Sequence, residues 1–165
     1  MSKVNYANRG MRFEEMINYT NAQYERKGVA SIRKVSTPWK VIRNGKRIVS
    51  AFPDGPSTVD YMGDWKGKSI CFEAKSTNST SSFPFKNFEE HQIEFIRRWQ
   101  GIGFALIHFE YYNETYLISK KDLLEKWDMQ YKGGRKSIPY EWFKQNAKLV
   151  KQGMFLLDYL DSLKG

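Results

Sequence analysis

The amino-acid sequence predicts a mixed α/β domain, with helices flanking one sheet and a basic β-hairpin projecting from it. Three observations lead there. Apolar patterns follow one another in the order helix, several antiparallel strands, helix, strand, strand, helix. Asn44-Gly45 stands between two short strand-like runs, the strongest local hairpin signal. The 165 residues, 41% of them hydrophobic, match the usual size of one domain and suffice for a core. No repeat and no Pro/Ser-rich linker divides the chain, so residues 1–165 read as a single domain, with the hairpin over about residues 40–56.

The elements follow in order. Asn8 is placed to cap a helix beginning near Arg9, with Glu14 and Glu15 at its positive end. Phe13, Met16, Ile17 and Tyr24 lie near helical spacing, and Gly28 reads as the stop. Residues 29–35 alternate as a strand. Residues 39–42 and 46–51 form the hairpin, which carries Lys40, Arg43, Lys46 and Arg47, with Phe52 just beyond. It is too basic and too weakly apolar for a central strand pair, and reads as an arm.

Residues 59–62 and 68–74 read as two further strands joined by the glycine-bounded turn 63–67. Residues 77–82 form a polar loop. Residues 87–100 pattern as a helix, with Phe88, Gln92, Phe95 and Trp99 along one face. Residues 104–109 are an apolar strand whose hairpin partner is 114–118. Ser119-x-x-Asp122 opens a helix running to Trp127. Lys132-Gly133-Gly134-Arg135-Lys136 is a basic loop. Beyond it the patterns are ambiguous, and Tyr140, Trp142 and Phe143 fit a core or an interface equally.

Charge narrows the function. Twenty-seven Lys and Arg against 18 Asp and Glu leave a net charge of +9. Such a balance points to a polyanion: nucleic acid, an anionic membrane or an acidic protein. The longest apolar runs are far too short to span a bilayer, and the N-terminus has no signal-peptide core. No clearly basic amphipathic helix marks a membrane binder. With Cys71 as the one cysteine and only His91 and His108 as histidines, a disulfide framework and a Cys- or His-rich metal site are excluded. A soluble cytoplasmic protein is expected, with any metal chemistry on oxygen ligands.

Phosphodiester chemistry without His or Cys usually relies on carboxylates that hold a divalent cation, with a lysine nearby. On a strand, an acidic-x-Lys pair shares one face, because side chains alternate with period two. The chain contains three such pairs, Glu25-x-Lys27, Asp64-x-Lys66 and Glu73-x-Lys75. The first sits at a helix end, where residues two apart point away from each other. The second lies in the glycine-bounded turn, and Asp54, which could pair with Asp64, sits in another loop. Glu73 and Lys75 end a good strand, with Asp60 on the preceding one. Spacing leaves two readings open: a catalytic set, or a surface ion network of little energetic consequence.

The joint pattern of several segments bears on that choice. Asn8-Arg9-Gly10-Met11, Ser57-Thr58-Val59-Asp60-Tyr61-Met62-Gly63 and Phe72-Glu73-Ala74-Lys75 occur in order. They are followed by Ser82-Phe83-Pro84, Asn87-Phe88, His91-Gln92-Ile93-Glu94 and Gly133-Gly134-Arg135-Lys136-Ser137-Ile138. Over about residues 8–140 the chain resembles the RecU-type Holliday junction resolvases, dimeric Mg²⁺-dependent endonucleases with the PD-(D/E)xK restriction-endonuclease-like fold.

The resemblance implies roles for particular residues. Asp60 and Glu73 match the metal-binding carboxylates, Thr58 and Gln92 match further ligands, and Lys75 matches the lysine that stabilises the transition state. The cofactor implied is Mg²⁺, with Mn²⁺ as an alternative. Arg9 and Lys34 match basic DNA-binding positions. The hairpin, with Arg43, Lys46 and Arg47, corresponds to a stalk that enters the junction, and Phe52 is the candidate wedge against unstacked bases. A basic hairpin bearing an aromatic suits phosphate contact and stacking on physical grounds as well. The competing reading of Phe52 is a core residue beneath a solubilising hairpin.

The chain departs from the family in a stalk that is shorter and followed by Pro53-Asp54-Gly55-Pro56, in Val at position 59, and in starting seven residues before Asn8. The expected activity is resolution of four-way DNA junctions by paired symmetric nicks, in recombination and repair. The expected partners are branched DNA, a second copy of the chain and a recombinase. The alternatives are a nuclease of the same fold acting on flaps or duplex, and a non-catalytic junction-binding protein.

Overall fold

The structure, a computed structural model, describes residues 12–55 and 58–164. The first helix, α1 (Phe13–Arg26), starts from Arg12, whose N–H donates to Glu15 Oε2 at 3.0 Å. Asn8 and Arg9, the expected cap and first turn, lie outside the described residues. The helix buries Met16, Ile17, Thr20, Asn21 and Tyr24 on one stripe, and Gly28 follows its end.

Next come β1 (Ser31–Lys34), β2 (Trp39–Asn44), β3 (Arg47–Pro53), β4 (Tyr61–Trp65), β5 (Lys68–Thr77) and β6 (Ser82–Pro84). A 3₁₀ turn (Phe85–Asn87) leads into α2 (Glu90–Arg98), β7 (Ile102–Phe109), β8 (Glu114–Ser119) and α3 (Lys120–Gln130). Then follow β9 (Ser137–Pro139), α4 (Tyr140–Asn146) and β10 (Lys148–Leu149). The main sheet has the order β1-β4-β5-β7-β8-β10. Its pairs are antiparallel except β5 with β7, which run parallel and are joined by the crossover through α2. None of the described helices is long and apolar enough to cross a membrane.

Alternation along the central strands divides the core. Phe72 stacks on Tyr61 and Phe104 at 4.8 and 4.7 Å, facing α1 and the C-terminal segment with Leu157 and Tyr159. Cys71, Ala105, Ile107 and Ile118 face α2, α3 and α4 on the other side. The C-terminal segment, unreadable from periodicity, is held by polar links to α1. Leu157 N–H donates to Thr20 Oγ1 at 3.1 Å, and Tyr24 Oη donates to Asp158 at 2.8 Å.

Several expectations shift. The hairpin turn is Gly45-Lys46, with φ +61° at Gly45, because Asn44 pairs with Arg47. Strand β3 carries one extra residue, Val49, between the Ile42–Ser50 and Arg43–Ile48 pairs. Residues 63–65 belong to β4, where β1 and β5 flank them, so the turn contracts to Lys66-Gly67. Helix α2 starts at Glu90, so Phe88 lies before it and cannot share its phase; the buried stripe is Gln92, Ile93 and Ile96. Phe95 and Trp99 stack at 5.6 Å at the margin of the core.

Candidate active site

Strand β5 turns Glu73 and Lys75 toward α2, on the face opposite Phe72. Its parallel pairing with β7 sets Glu73 beside Ala105 in the middle of the sheet, and the carboxyl is fully buried. A buried carboxylate demands partners, and three groups contact Glu73. Gln92 Nε2 donates to Oε1 at 2.6 Å, and Lys75 Nζ lies 3.1 Å from the same oxygen. Asp60 N–H donates to Oε2 at 3.1 Å, while the Asp60 carboxylate accepts from Ala74 N–H at 3.0 Å. Asp60 stands just before β4 rather than on it, positioned by the main chain of β5 and by Val35 N–H, which donates to its carbonyl at 2.8 Å.

Burial, together with the Asp60 carboxyl beside it, pushes Glu73 up to about 8, against the pull of Lys75. A carboxyl in that range is protonated near neutrality unless positive charge arrives. The remaining donor set is neutral oxygen. Thr58 Oγ1 is buried with no hydrogen-bond partner among the described residues. Gln92 Oε1 accepts from Glu89 N–H at 2.9 Å, so a ligand role for Gln92 requires its amide to turn. Among the described residues no group of three or more His, Cys, Asp or Glu gathers in a metal-holding arrangement. Two carboxylates and an orphaned buried hydroxyl are hard oxygen donors, which fit an ion such as Mg²⁺ with water completing its shell.

Asp60, Glu73 and Lys75 were singled out from residue spacing, Thr58 and Gln92 only through the family resemblance; of these, Asp60, Lys75 and Gln92 meet at Glu73. On the α1 side of β5, sharing only Asp60 with that cluster, lies a cavity of about 390 Å³ whose lining includes Glu14, Asp60, Tyr61, Ser76 and Glu110. Tyr61, Ser76 and Glu110 were not singled out from sequence, because strand register brings them there and no local motif marks them. The other acidic-x-Lys pairs do not join the site. Glu25 binds Arg33 at 2.7 Å, Asp64 is exposed on β4, and Asp54 binds Lys40 at 3.0 Å.

Of the DNA-binding candidates, Lys34 pairs in register with Tyr61, next to Asp60, and its ammonium contacts Glu14. Arg43, Lys46 and Arg47 cluster at the exposed hairpin tip. Phe52 lies within β3 opposite Lys40 and is 45% exposed, which removes the reading of a core phenylalanine. Trp39, 59% exposed on β2, is a second hairpin aromatic that sequence reasoning passed over. Arg9 lies outside the described residues.

Comparison with known proteins bears on the whole chain. A family profile described as "Recombination protein U" matches residues 8–165. The chain belongs to the RecU family. It is 41% identical to the Holliday junction resolvase RecU of Streptococcus equi subsp. zooepidemicus, over 98% of this chain and 84% of that protein. Identity to the RecU of Bacillus cytotoxicus is 38%, over 99% of this chain and 86% of that one. For Geobacillus thermodenitrificans RecU it is 40%, over 91% and 79%. The RecU match thus takes in both carboxylates, Lys75, the hairpin and the basic loop at 132–136.

Proposed function

We propose that this RecU-family chain is a structure-selective endodeoxyribonuclease that resolves four-way DNA junctions by paired symmetric nicks. The family's resolvase members support the activity, and one structural observation carries the assignment of the site. Glu73 is buried, tied to Asp60 and contacted by Lys75, with the unpartnered Thr58 hydroxyl as a further oxygen donor. A surface ion network would not bury its carboxylate so completely.

In this reading Thr58, Asp60, Glu73 and Gln92 would hold Mg²⁺, with Mn²⁺ as an alternative. The cation, when bound, supplies Lewis acidity toward the scissile phosphate and acidifies a water. Asp60 and Glu73 balance its charge, and their main-chain ties fix the spacing of the two carboxylates. Lys75 holds its ammonium over Glu73, where it stabilises charge building on the phosphate or orients the attacking water. The products carry 5′-phosphate and 3′-hydroxyl ends.

Arg9, Lys34, Arg43, Lys46 and Arg47 contact DNA phosphates, and Phe52 stacks on bases opened at the crossover. The chain acts as a single nuclease domain over residues 1–165 and as a homodimer, whose two-fold symmetry matches that of the junction. It works in the cytoplasm, alongside a recombinase, in recombination and repair.

The test is cleavage of a labelled four-way junction beside its linear duplex arm in Mg²⁺, with wild type and Asp60→Ala. Symmetric nicks near the crossover, lost in Asp60→Ala while binding survives, are expected. Equal cutting of the linear duplex would discard junction selectivity. Binding without cutting by wild type would overturn the catalytic reading.

A further inference from the structure

The basic loop after α3 has no task in the reaction above, yet it borders a cleft of about 550 Å³ between the β6–α2 connection and the end of α3. Phe85, Phe88, Trp127 and Tyr131 line it. Phe85 and Phe88 meet Trp127 edge-on at 5.6 and 6.4 Å, and Tyr131 meets Trp127 at 6.1 Å. Phe85, Phe88 and Trp127 are buried, whereas Tyr131 is 68% exposed. Three rings make a stiff base, and the fourth leaves an aromatic surface open.

Cations are delivered to the same cleft by backbone pairing. Phe85 N–H donates to the Lys136 carbonyl at 3.0 Å, and β6 pairs with β9 through Pro84 and Ser137. Lys86 and Lys136 therefore both line the cleft. Gly134 N–H donates to the Met129 carbonyl at 2.8 Å, and a Cβ at Gly134 would stand 2.5 Å from that oxygen. Glycine there lets the chain fold back over the end of α3 and bring Arg135 and Lys136 round. Lys86, Lys132, Arg135 and Lys136 are in none of the ion pairs among the described residues. Asp128, the carboxylate of α3 nearest that loop in sequence, is gripped by Arg97 at 2.6 and 3.1 Å. Among the described residues of the lining, Glu90 is the one acidic residue. Gln130 also lines the cleft, and its buried Nε2 lacks a hydrogen-bond partner among the described residues.

An open aromatic face, unpaired cations and a spare amide donor match a planar base with acceptor edges on an anionic backbone. We infer that this cleft holds an unpaired nucleotide of the branched DNA, its base on Tyr131 and its phosphates at Lys86 and Lys136. The inference rests on the DNA-processing reading above. It joins that reading physically at the first turn of α2, where Glu90 lines the cleft and Gln92 holds Glu73.

The test uses the full chain in EDTA, a fluorescent short oligothymidylate and its 5-iododeoxyuridine version for photo-crosslinking. Wild type is compared with Tyr131→Ala, Tyr131→Phe and the double variant Lys86→Ala/Lys136→Ala. A crosslink at Tyr131 is expected. Tyr131→Ala weakens oligothymidylate binding roughly 5- to 150-fold, the range for losing one base–aromatic stack, and Tyr131→Phe restores it. The double lysine variant lowers the salt slope of binding by about 1.4, for two phosphate contacts on a single strand. Unchanged affinity in Tyr131→Ala, with crosslinks elsewhere, would overturn the cleft. So would wild type that cuts a junction in Mg²⁺ yet binds no oligothymidylate. Failure of wild type to cut any junction would overturn the reaction instead, and the oligothymidylate arm would still decide the cleft.

Discussion

Asp60 and Glu73 hold each other through the main chain. Asp60 N–H donates to the Glu73 carboxyl at 3.1 Å, and the Asp60 carboxyl accepts from Ala74 N–H, one residue past Glu73, at 3.0 Å. This reciprocal clamp couples the loop before β4 to the middle of β5. Charge placement and chain geometry therefore depend on the same pair. Removing Asp60 loosens the loop, so its effect on cutting mixes chemistry with position.

Glu73→Gln separates the two. The amide oxygen keeps an acceptor for Asp60 N–H, its NH₂ makes the Gln92 amide turn to accept from it, and the side chain brings no charge to a cation. Junction cleavage is expected to fall at least about 100-fold, the scale for losing one electrostatic contributor, while junction binding in EDTA changes less than twofold. Gel-shift and cleavage assays on one preparation check this. Retained cutting would remove Glu73 from the reaction.

Thr58→Val probes the orphaned hydroxyl. Without metal the variant is expected to be as stable as wild type or up to about 1 kcal/mol more stable, since an unsatisfied buried polar group is lost. Added Mg²⁺ or Mn²⁺ should raise the melting temperature of wild type more than that of the variant, because a ligand stabilises the state that binds it. Thermal melts across a metal titration decide it, and equal shifts would take Thr58 out of the ligand set.

Phe52→Ala tests the arm. The side chain is 45% exposed, so stability should move by no more than about 0.5 kcal/mol, as for most surface changes. Junction cleavage should drop while cutting of any linear duplex stays as it was. A proportional loss on both substrates would assign Phe52 no part in recognising the crossover.

His108 sets a pH dependence. It is buried, stacked on Phe13 at 5.0 Å and bonded through Nδ1 to Thr115 Oγ1 at 2.9 Å. Burial holds its pKa below the usual 6.5, against the pull of Glu110. The unfolded chain thus takes up a proton at higher pH than the folded one. Stability is full above about pH 6.5 and is lost as pH falls toward the folded pKa, by at most about 1.4 kcal/mol per pH unit. Denaturant unfolding of wild type and His108→Gln at pH 7.5 and 5.5 measures this. The variant should show the flatter profile, and identical profiles would refute it.

Much of the chemistry was readable locally. Strand alternation alone placed Glu73 and Lys75 on one face, Ser119 and Asp122 marked the start of α3, and the basic hairpin announced itself through Asn44-Gly45. Each depends on residues a few positions apart, where backbone geometry dictates who meets whom. Locally readable cues also misled: Gly63 looked like a turn, and Phe88 looked like part of a helix face.

Long-range pairing decided the rest. Nothing near Gln92 in sequence says that it reaches Glu73; the parallel pairing of β5 with β7 and the crossover through α2 bring them together. The burial that pushes Glu73 up, the lack of a partner for Thr58 Oγ1 among the described residues and the placing of Lys86 and Lys136 on one cleft arise the same way. Local sequence sets which chemical groups are present and which side of a strand they face. Whether those groups are buried, paired or left without a partner depends on what the distant chain packs against them, because desolvation and hydrogen bonding are properties of the assembled surroundings.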